Sequence, residues 1–225
     1  MKDVKPRSGP LRGLVHAHTW HSFDSLLPPG AYLAYARWAK LDFLVITDHN
    51  TIAGAQSARA MNRSPALEVV LSAEYATDRG DLIGLFLTRE VVSRRFEEAI
   101  AEIRAQGGLA LLPHPFRGRD TDPQRIAAVD VVESFNARSA SETNDRAGQE
   151  AERLGIPQIA GADIHTAWEL LRNGTLVTLE GSGSIRDRLL TAPRSMSTRP
   201  MPRAIRRYSQ VLKRLRMRIG FRGHA

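Results

Sequence analysis

The chain has 225 residues, 42% hydrophobic and 25% charged, with no cysteine. That is enough for one substantial core, and it excludes disulfides and thiolate ligands, so any metal must be held by nitrogen and oxygen. The net charge of +8 belongs to the end of the chain: from Arg194 onward there are nine Arg, one Lys and no Asp or Glu, which leaves residues 1–193 near neutral at −2 and argues against a body that coats nucleic acid.

The first stretch with chemistry in it is Gly13 to Ser25, GLVHAHTWHSFDS. Leu14 and Val15 read as a buried strand, and His16 and His18 at i and i+2 point to one side of an extended chain. Asp24 follows after a short loop. Further strands are expected at Phe43–Thr47, Glu68–Ala73, Leu82–Leu87, Leu109–Pro113, Val129–Ser134, Pro157–Ala162 and Leu176–Leu179. They lack clean alternation, as parallel strands buried on both faces do. Helices are expected at Ala31–Lys40, Thr51–Met61, Val91–Gln106 and Ser141–Leu154. In the third of these Phe96, Ile100 and Ile103 form a stripe that Gly107-Gly108 stops. Strands alternating with helices predict a (β/α) barrel, complete or one strand short. Residues 1–193 form the expected domain. TAPRSMSTRPMP reads as a connector to a basic amphipathic helix over 202–219, with Ile205, Tyr208, Leu212, Leu215 and Ile219 on one face. No apolar run is long enough to span a bilayer, and the first residues carry no apolar signal segment, so a cytoplasmic protein is expected.

In a parallel barrel the site sits where the strands end. The first strand ends in His16 and His18, the second in Asp48-His49, the third in Glu74. The fifth ends in His114, the sixth in Glu133 with Asn136 beyond it, the seventh in Asp163 and His165. Only Leu82–Leu87 has its acid, Asp81, in front of it. Each residue alone has an ordinary reading as a turn histidine, solvated loop acid or helix cap. Together they crowd imidazoles and carboxylates at one mouth, a conflict that a cluster of cations resolves.

With these residues the chain resembles the polymerase and histidinol phosphatase (PHP) family of metal-dependent phosphoesterases. The resemblance rests on HAH with Asp24 downstream, TDHN at 47–50, SAE at 72–74, HP at 114–115, ADIH at 162–165 and VVESFNAR at 131–138. It implies a distorted (β/α)7 TIM-like barrel and two or three divalent ions, manganese, zinc or iron. One metal would be held by His16, His18, Glu74 and Asp163. Glu74 would bridge to a second, shared with His114, and a third would take Asp24, His49 and His165. Asp81 stands where many relatives place a histidine for the second metal, so the resemblance implies either that Asp81 is a hard oxygen ligand to it or that this metal is loosely held. Forty residues between Glu74 and His114 leave no room for the subdomain that relatives acting on nucleoside phosphates often insert.

The implied reaction is hydrolysis of a phosphate ester of a small molecule by metal-activated water. Arg117 and Arg138 are the expected phosphate clamps, because a guanidinium fork matches phosphate. Asp48 would orient an imidazole. Glu133 and Asn136 would do the same or contact substrate, and His21 would protonate the leaving group. Rival readings are a nuclease acting on short oligonucleotides, a regulatory metal-binding module, and an amidohydrolase, whose bridging carbamylated lysine has no counterpart at a strand end. The basic tail helix would dock on the barrel, lie on an anionic membrane surface or attract nucleic acid. No obligate protein partner is evident.

Overall fold

Runs such as Phe43-Leu44-Val45 and Leu109-Ala110-Leu111-Leu112 are buried at every position, so they can only be strands covered on both faces. The computed structural model describes residues 7–118, 122–202, 204, 205, 210, 211, 214 and 215. The strands in chain order are β1 Arg7–Ser8, β2 Leu11–Val15, β3 Phe43–Val45, β4 Glu68–Val70, β5 Ser72–Thr77, β6 Gly80–Leu85, β7 Leu109–Leu112, β8 Val131–Asn136, β9 Gln158–Gly161, β10 Leu176–Leu179, β11 Ser182–Gly183 and β12 Arg194–Ser197. The helices are α1 Pro29–Trp38, α2 Ala53–Met61, α3 Phe96–Ala105, α4 Pro123–Ala128, α5 Ser141–Leu154, α6 Ala167–Arg172 and α7 Ile185–Thr191.

The strands form two five-stranded sheets, in the orders β12-β10-β2-β3-β4 and β5-β6-β7-β8-β9, and β1 pairs with β11. The fold is mixed α/β, and the described residues form no continuous closed barrel. The expectation of parallel strands throughout holds for β2/β3, β3/β4, β7/β8 and β8/β9. It fails at β5/β6, β6/β7 and β10/β2, which are antiparallel. The cause is local. The expected strand Glu68–Ala73 breaks at Leu71, and its second half runs on to Thr77. Only Asp78 and Arg79 then separate it from β6, so β5 and β6 make a hairpin. This explains why Asp81 precedes its apolar run: β6 leaves from the site end of the sheet, where its neighbours arrive.

The two sheets are stitched where the parallel strands end. Ala162 N donates to Val15 O at 2.9 Å, and His18 N to Ile164 O at 2.8 Å. On the other edge Glu74 N donates to Asp48 O at 3.1 Å, and Asn50 N to Glu74 O at 2.8 Å. One apolar cluster draws on both sheets, with Val15, Phe43, Ile83, Leu111, Val131 and Ile159 among its members. A second packs α1 and α2 on the first sheet, and a third packs α3, α4 and α5 on the second.

Arg194–Ser197, expected as connector, adds β12 antiparallel to β10. Beyond it Met201 and Ile205 are buried against Ala137, and Leu215 is exposed. Tyr208, Leu212, Ile219 and most of the expected tail helix lie outside the described residues. No helix among the described residues is long and apolar enough to cross a membrane.

Gly13 lies on β2 against Phe43 of β3, and a Cβ there would fall 2.2 Å from two carbons of that ring. Gly13→Ala should cost about 1–3 kcal/mol through forced repacking. The measurement is the thermal unfolding midpoint, expected to fall by several degrees.

Candidate metal centre

β2 stops at Val15, and His16 turns into the left-handed region at φ 66°. The HAH segment is therefore not the extended strand its spacing suggested. Ala17 is buried in the core, and the His16 and His18 rings converge with centroids 5.2 Å apart. His114, after β7, has φ 29°, and Asp163, after β9, has φ 50°. A non-glycine residue held there costs about 1–3 kcal/mol, and such strain gathers at functional sites. Here it turns each chain end inward, towards the same point.

Three overlapping groups of side chains could hold a metal ion: His16, His18 and Asp163; His16, Glu74 and His114; His18, Asp24, His49 and His165. In the first, Glu74 also takes part. Its Oε2 is 3.4 Å from His16 Nε2 and 3.5 Å from His18 Nε2. Asp163 Oδ1 is 3.8 Å and 3.7 Å from the same two nitrogens. Ligand atoms around a tetrahedral cation at ordinary bond lengths lie about 3.4 Å apart. His16 Nε2 and His18 Nε2 are buried with no hydrogen-bond partner, an arrangement that costs energy unless something accepts their lone pairs. The donor set is all imidazole and carboxylate, which suits zinc, iron or manganese. In the second group His114 Nε2 is 3.1 Å from Glu74 Oε1. In the third Asp24 Oδ2 is 3.0 Å from His49 Nε2 and 3.1 Å from His165 Nε2. These residues fit divalent cations.

The charges are interlocked. Burial opposes charge on His16, but Glu133, Asp163 and Glu74 outweigh it and hold the imidazole well above its usual pKa. His18 is equally buried and has His165 and His49 for neighbours, so it is pushed well below. Burial opposes ionisation of Glu74, Asp24 and Asp163 as well. His16 and His49 nevertheless hold Glu74 well below the usual carboxylate range, His49 and His165 do so for Asp24, and Arg117 and His16 for Asp163. Against its burial, Asp24 and Glu74 raise His49 to about 9.

Behind the cluster stands a second layer. Glu133 Oε1 accepts from His16 Nδ1 at 2.8 Å. Its Oε2 accepts from His114 N at 2.9 Å and from Asn136 Nδ2 at 2.8 Å. With a cation bound, Glu133 would hold the His16 proton on Nδ1 and leave Nε2 for the cation. Asn136 is fully buried and also donates to Asp163 Oδ2 at 3.1 Å, so its amide bridges two carboxylates. Arg138, expected as a clamp, has Nη1 3.0 Å from Glu169 Oε1 and 2.9 Å from His165 Nδ1. Glu169 was missed, although Thr166-x-x-Glu169 spells the capping box that places it on α6. Arg117 meets the expectation better: Nη1 donates to Asp163 Oδ2 at 2.6 Å, and a third of the side chain, 34%, is exposed.

Asp48 does not orient His49. Its carboxylate accepts from Thr19 N at 2.6 Å and Thr19 Oγ1 at 2.7 Å, pinning the first loop, and burial pushes its pKa up to about 6. His21 lies outside the three groups, with Nε2 3.3 Å from Ser57 Oγ on α2. Asp81 also lies outside them. It lines the cleft beside His114, and burial and the charge of Glu74 raise its pKa.

Two outcomes follow from this layout. A Cβ on Gly161 would fall 1.4 Å from Glu133 Oε1, so Gly161→Ala must displace the carboxylate that orients His16. Metal affinity, titrated on chelator-stripped protein, should fall by about 10–100-fold, as it does when such outer partners are lost. The second concerns pH. His49 has its folded pKa raised to about 9, above the ordinary imidazole value of about 6.5. In chelator-treated protein its stabilising contribution is complete below about pH 6.5 and lost as pH climbs through about 9. The unfolding midpoint without metal should drop across that window, while metal affinity rises because the competing proton leaves.

No family model matches the chain. It is 38% identical over 117 residues to the uncharacterized protein MJ1587 of Methanocaldococcus jannaschii, across 47% of this chain and 68% of that protein. Among solved structures it is similar to a two-domain protein from Bacteroides vulgatus containing a predicted PHP-like metal-dependent phosphoesterase. The TM-score is 0.71 at 17% identity, over 84% of this chain and 65% of that one. It is also similar to an amidohydrolase from Chromobacterium violaceum with sulfate bound and no metal, with TM-score 0.58 at 15% identity, over 89% and 96% of the two chains. The chain spans about two thirds of the length of the first two proteins. It belongs to one family with the Methanocaldococcus protein, and its fold is that of the PHP-like metal-dependent phosphoesterases.

Proposed function

We propose that this chain is a metal-dependent hydrolase of phosphate monoesters, acting on a nucleotide or a small metabolite with water as the nucleophile. The observation that carries the reading is the convergence of His16, His18, Glu74 and Asp163 at cation spacing, with the guanidinium of Arg117 on the outer oxygen of Asp163. The fold shared with a PHP-like phosphoesterase supports it.

His16, His18, Glu74 and Asp163 would hold one cation, Glu74 and His114 a second, and Asp24, His49 and His165 a third. Divalent ions held there would lower the pKa of a bound water towards neutrality and offset charge on the phosphoryl oxygens. The chain's own residues do the rest. Glu133 keeps the His16 proton on Nδ1. Arg117 bonds to protein through Nη1, which leaves the other donors of its fork to meet phosphoryl oxygens. Buried walls exclude bulk water and strengthen each of these interactions.

An amidohydrolase with a bridging carbamylated lysine is disfavoured, because Lys40, the one lysine among the described residues, is exposed at the end of α1.

The test is a panel of phosphate monoesters assayed with manganese, zinc, iron and magnesium, in parallel with Asp163→Asn. That substitution removes an anionic ligand and the partner of Arg117. It should lower both bound metal and phosphatase rate by about 100-fold or more, at least the loss seen when outer partners are removed. A variant that keeps its metal and its rate refutes the assignment.

A further inference from the structure

The β5–β6 hairpin and the loop after β7 enclose a cleft of about 350 Å³, whose lining includes Arg79, Arg117, Arg125, Asp81 and His114. It opens directly off the metal centre, since His114 and Arg117 belong to both: one reaches Glu74 at 3.1 Å, the other Asp163 at 2.6 Å.

Its other two cations have no part in that centre. Arg79 pairs with Glu97 and, at 2.9 Å, with Asp122. Arg125 on α4 makes no side-chain hydrogen bond or ion pair among the described residues, and its Nε is buried without a partner. Both guanidinium groups lie over the ring of Phe96, at 5.5 Å and 5.2 Å from its centroid. A ring face recovers part of the desolvation cost of a cation, but it supplies no acceptor for five N–H donors. Burial, and after it the like charge of Arg79, disfavours the charged form of Arg125. The backbone makes room for this arrangement. Gly80 has φ 107°, and a Cβ there would come within 2.9 Å of Arg125 Nη2. Asp81 is the one carboxylate among the described residues that line the cleft. A polyoxygen anion would give the Arg125 fork charge-assisted bonds that the ring face cannot.

We propose that this cleft binds a second anionic group of the substrate, a phosphate or a carboxylate, through Arg125 and Arg79, with Arg117 standing between that group and the scissile phosphate. The proposal rests on the phosphoesterase reading and narrows it to substrates with two anionic groups.

The test compares kcat/KM of the metal-loaded full chain for fructose 1,6-bisphosphate against fructose 6-phosphate, and for 3-phosphoglycerate against glycerol 3-phosphate. The first pair reads a second phosphate, the second a carboxylate. At least one pair should favour the doubly anionic member by about tenfold or more, the worth of one charge-assisted contact. Arg125→Gln should bring that ratio to within about threefold of unity, mainly through KM, and Arg125→Lys should keep part of it. Ratios near one in both pairs, or a preference that survives Arg125→Gln in a variant with an unchanged unfolding midpoint, overturn the proposal. Independently of turnover, inorganic phosphate titrated calorimetrically into chelator-treated protein should bind about fivefold or more weaker after Arg125→Gln. Equal binding counts against the subsite. If no phosphate ester is hydrolysed but phosphate still binds through Arg125, the phosphoesterase reading falls and the anion site stands.

Discussion

Burying several carboxylates together is the constraint on which this structure turns. Asp24, Glu74, Glu133 and Asp163 are each at most 2% exposed, and taking one such charge out of water costs several kcal/mol after relaxation. No single partner repays that. The repayment is collective: imidazoles from four loops stand between the acids, and two of their nitrogens face the middle with nothing to accept or donate. The surrounding carboxylates raise the pKa of His16 and His49 against their burial, and a divalent ion would offset the same negative charge. The same groups would therefore set both stability and metal affinity, with pH expected to move the two in opposite directions.

The cost spreads into the frame. His16, His114 and Asp163 hold left-handed backbone so that their side chains turn inward. Two glycines exist for carboxylates that touch no ion. Gly161 lets Glu133 reach His16, and Gly54 on α2 lets Asp48 reach Thr19, since a Cβ there would fall 1.7 Å from Asp48 Oδ2. Changing either should act through the orientation of a neighbour, with no direct loss of a ligand.

Much of the cluster was legible in the sequence because its residues leave a plain signature: polar residues stranded at the ends of apolar runs. His16, His18, His49, Glu74, His114, Asp163 and His165 all read that way, and α5 was expected over the residues it occupies, with Gly155 and Pro157 after it. The hairpin was not legible. A short Asp78-Arg79 turn and a split at Leu71 reverse the direction of β6, and a list of apolar runs does not record direction. Nor does residue type disclose which partner a side chain takes. Arg117 and Arg138 look alike, each in a loop just past a site residue. Arg138 is drawn to Glu169, buried under the α6 capping box, and only Arg117 reaches the mouth. Asn136 lies in β8 itself, and its amide is used up by Glu133 and Asp163. Asp48 went the same way, taken by the loop it pins. Left-handed φ at three histidine or aspartate positions is equally silent in sequence, because no glycine marks it.

The mouth that results is asymmetric. On the His114 side, Arg79, Arg117 and Arg125 gather around a polar cleft. On the His165 side, Leu26, Leu27, Pro28 and Trp168 line an apolar groove whose walls begin two residues after Asp24 and one after His165. Under the phosphoesterase reading, a phosphate at the cluster would have cations on the first side and the apolar groove on the second. Coulombic attraction acts over about a Debye length, whereas apolar contact acts only on touching. Under the proposed reading, an anionic substrate would therefore be oriented by the arginine side at a distance, and the groove would act only on the part of its body that touches it.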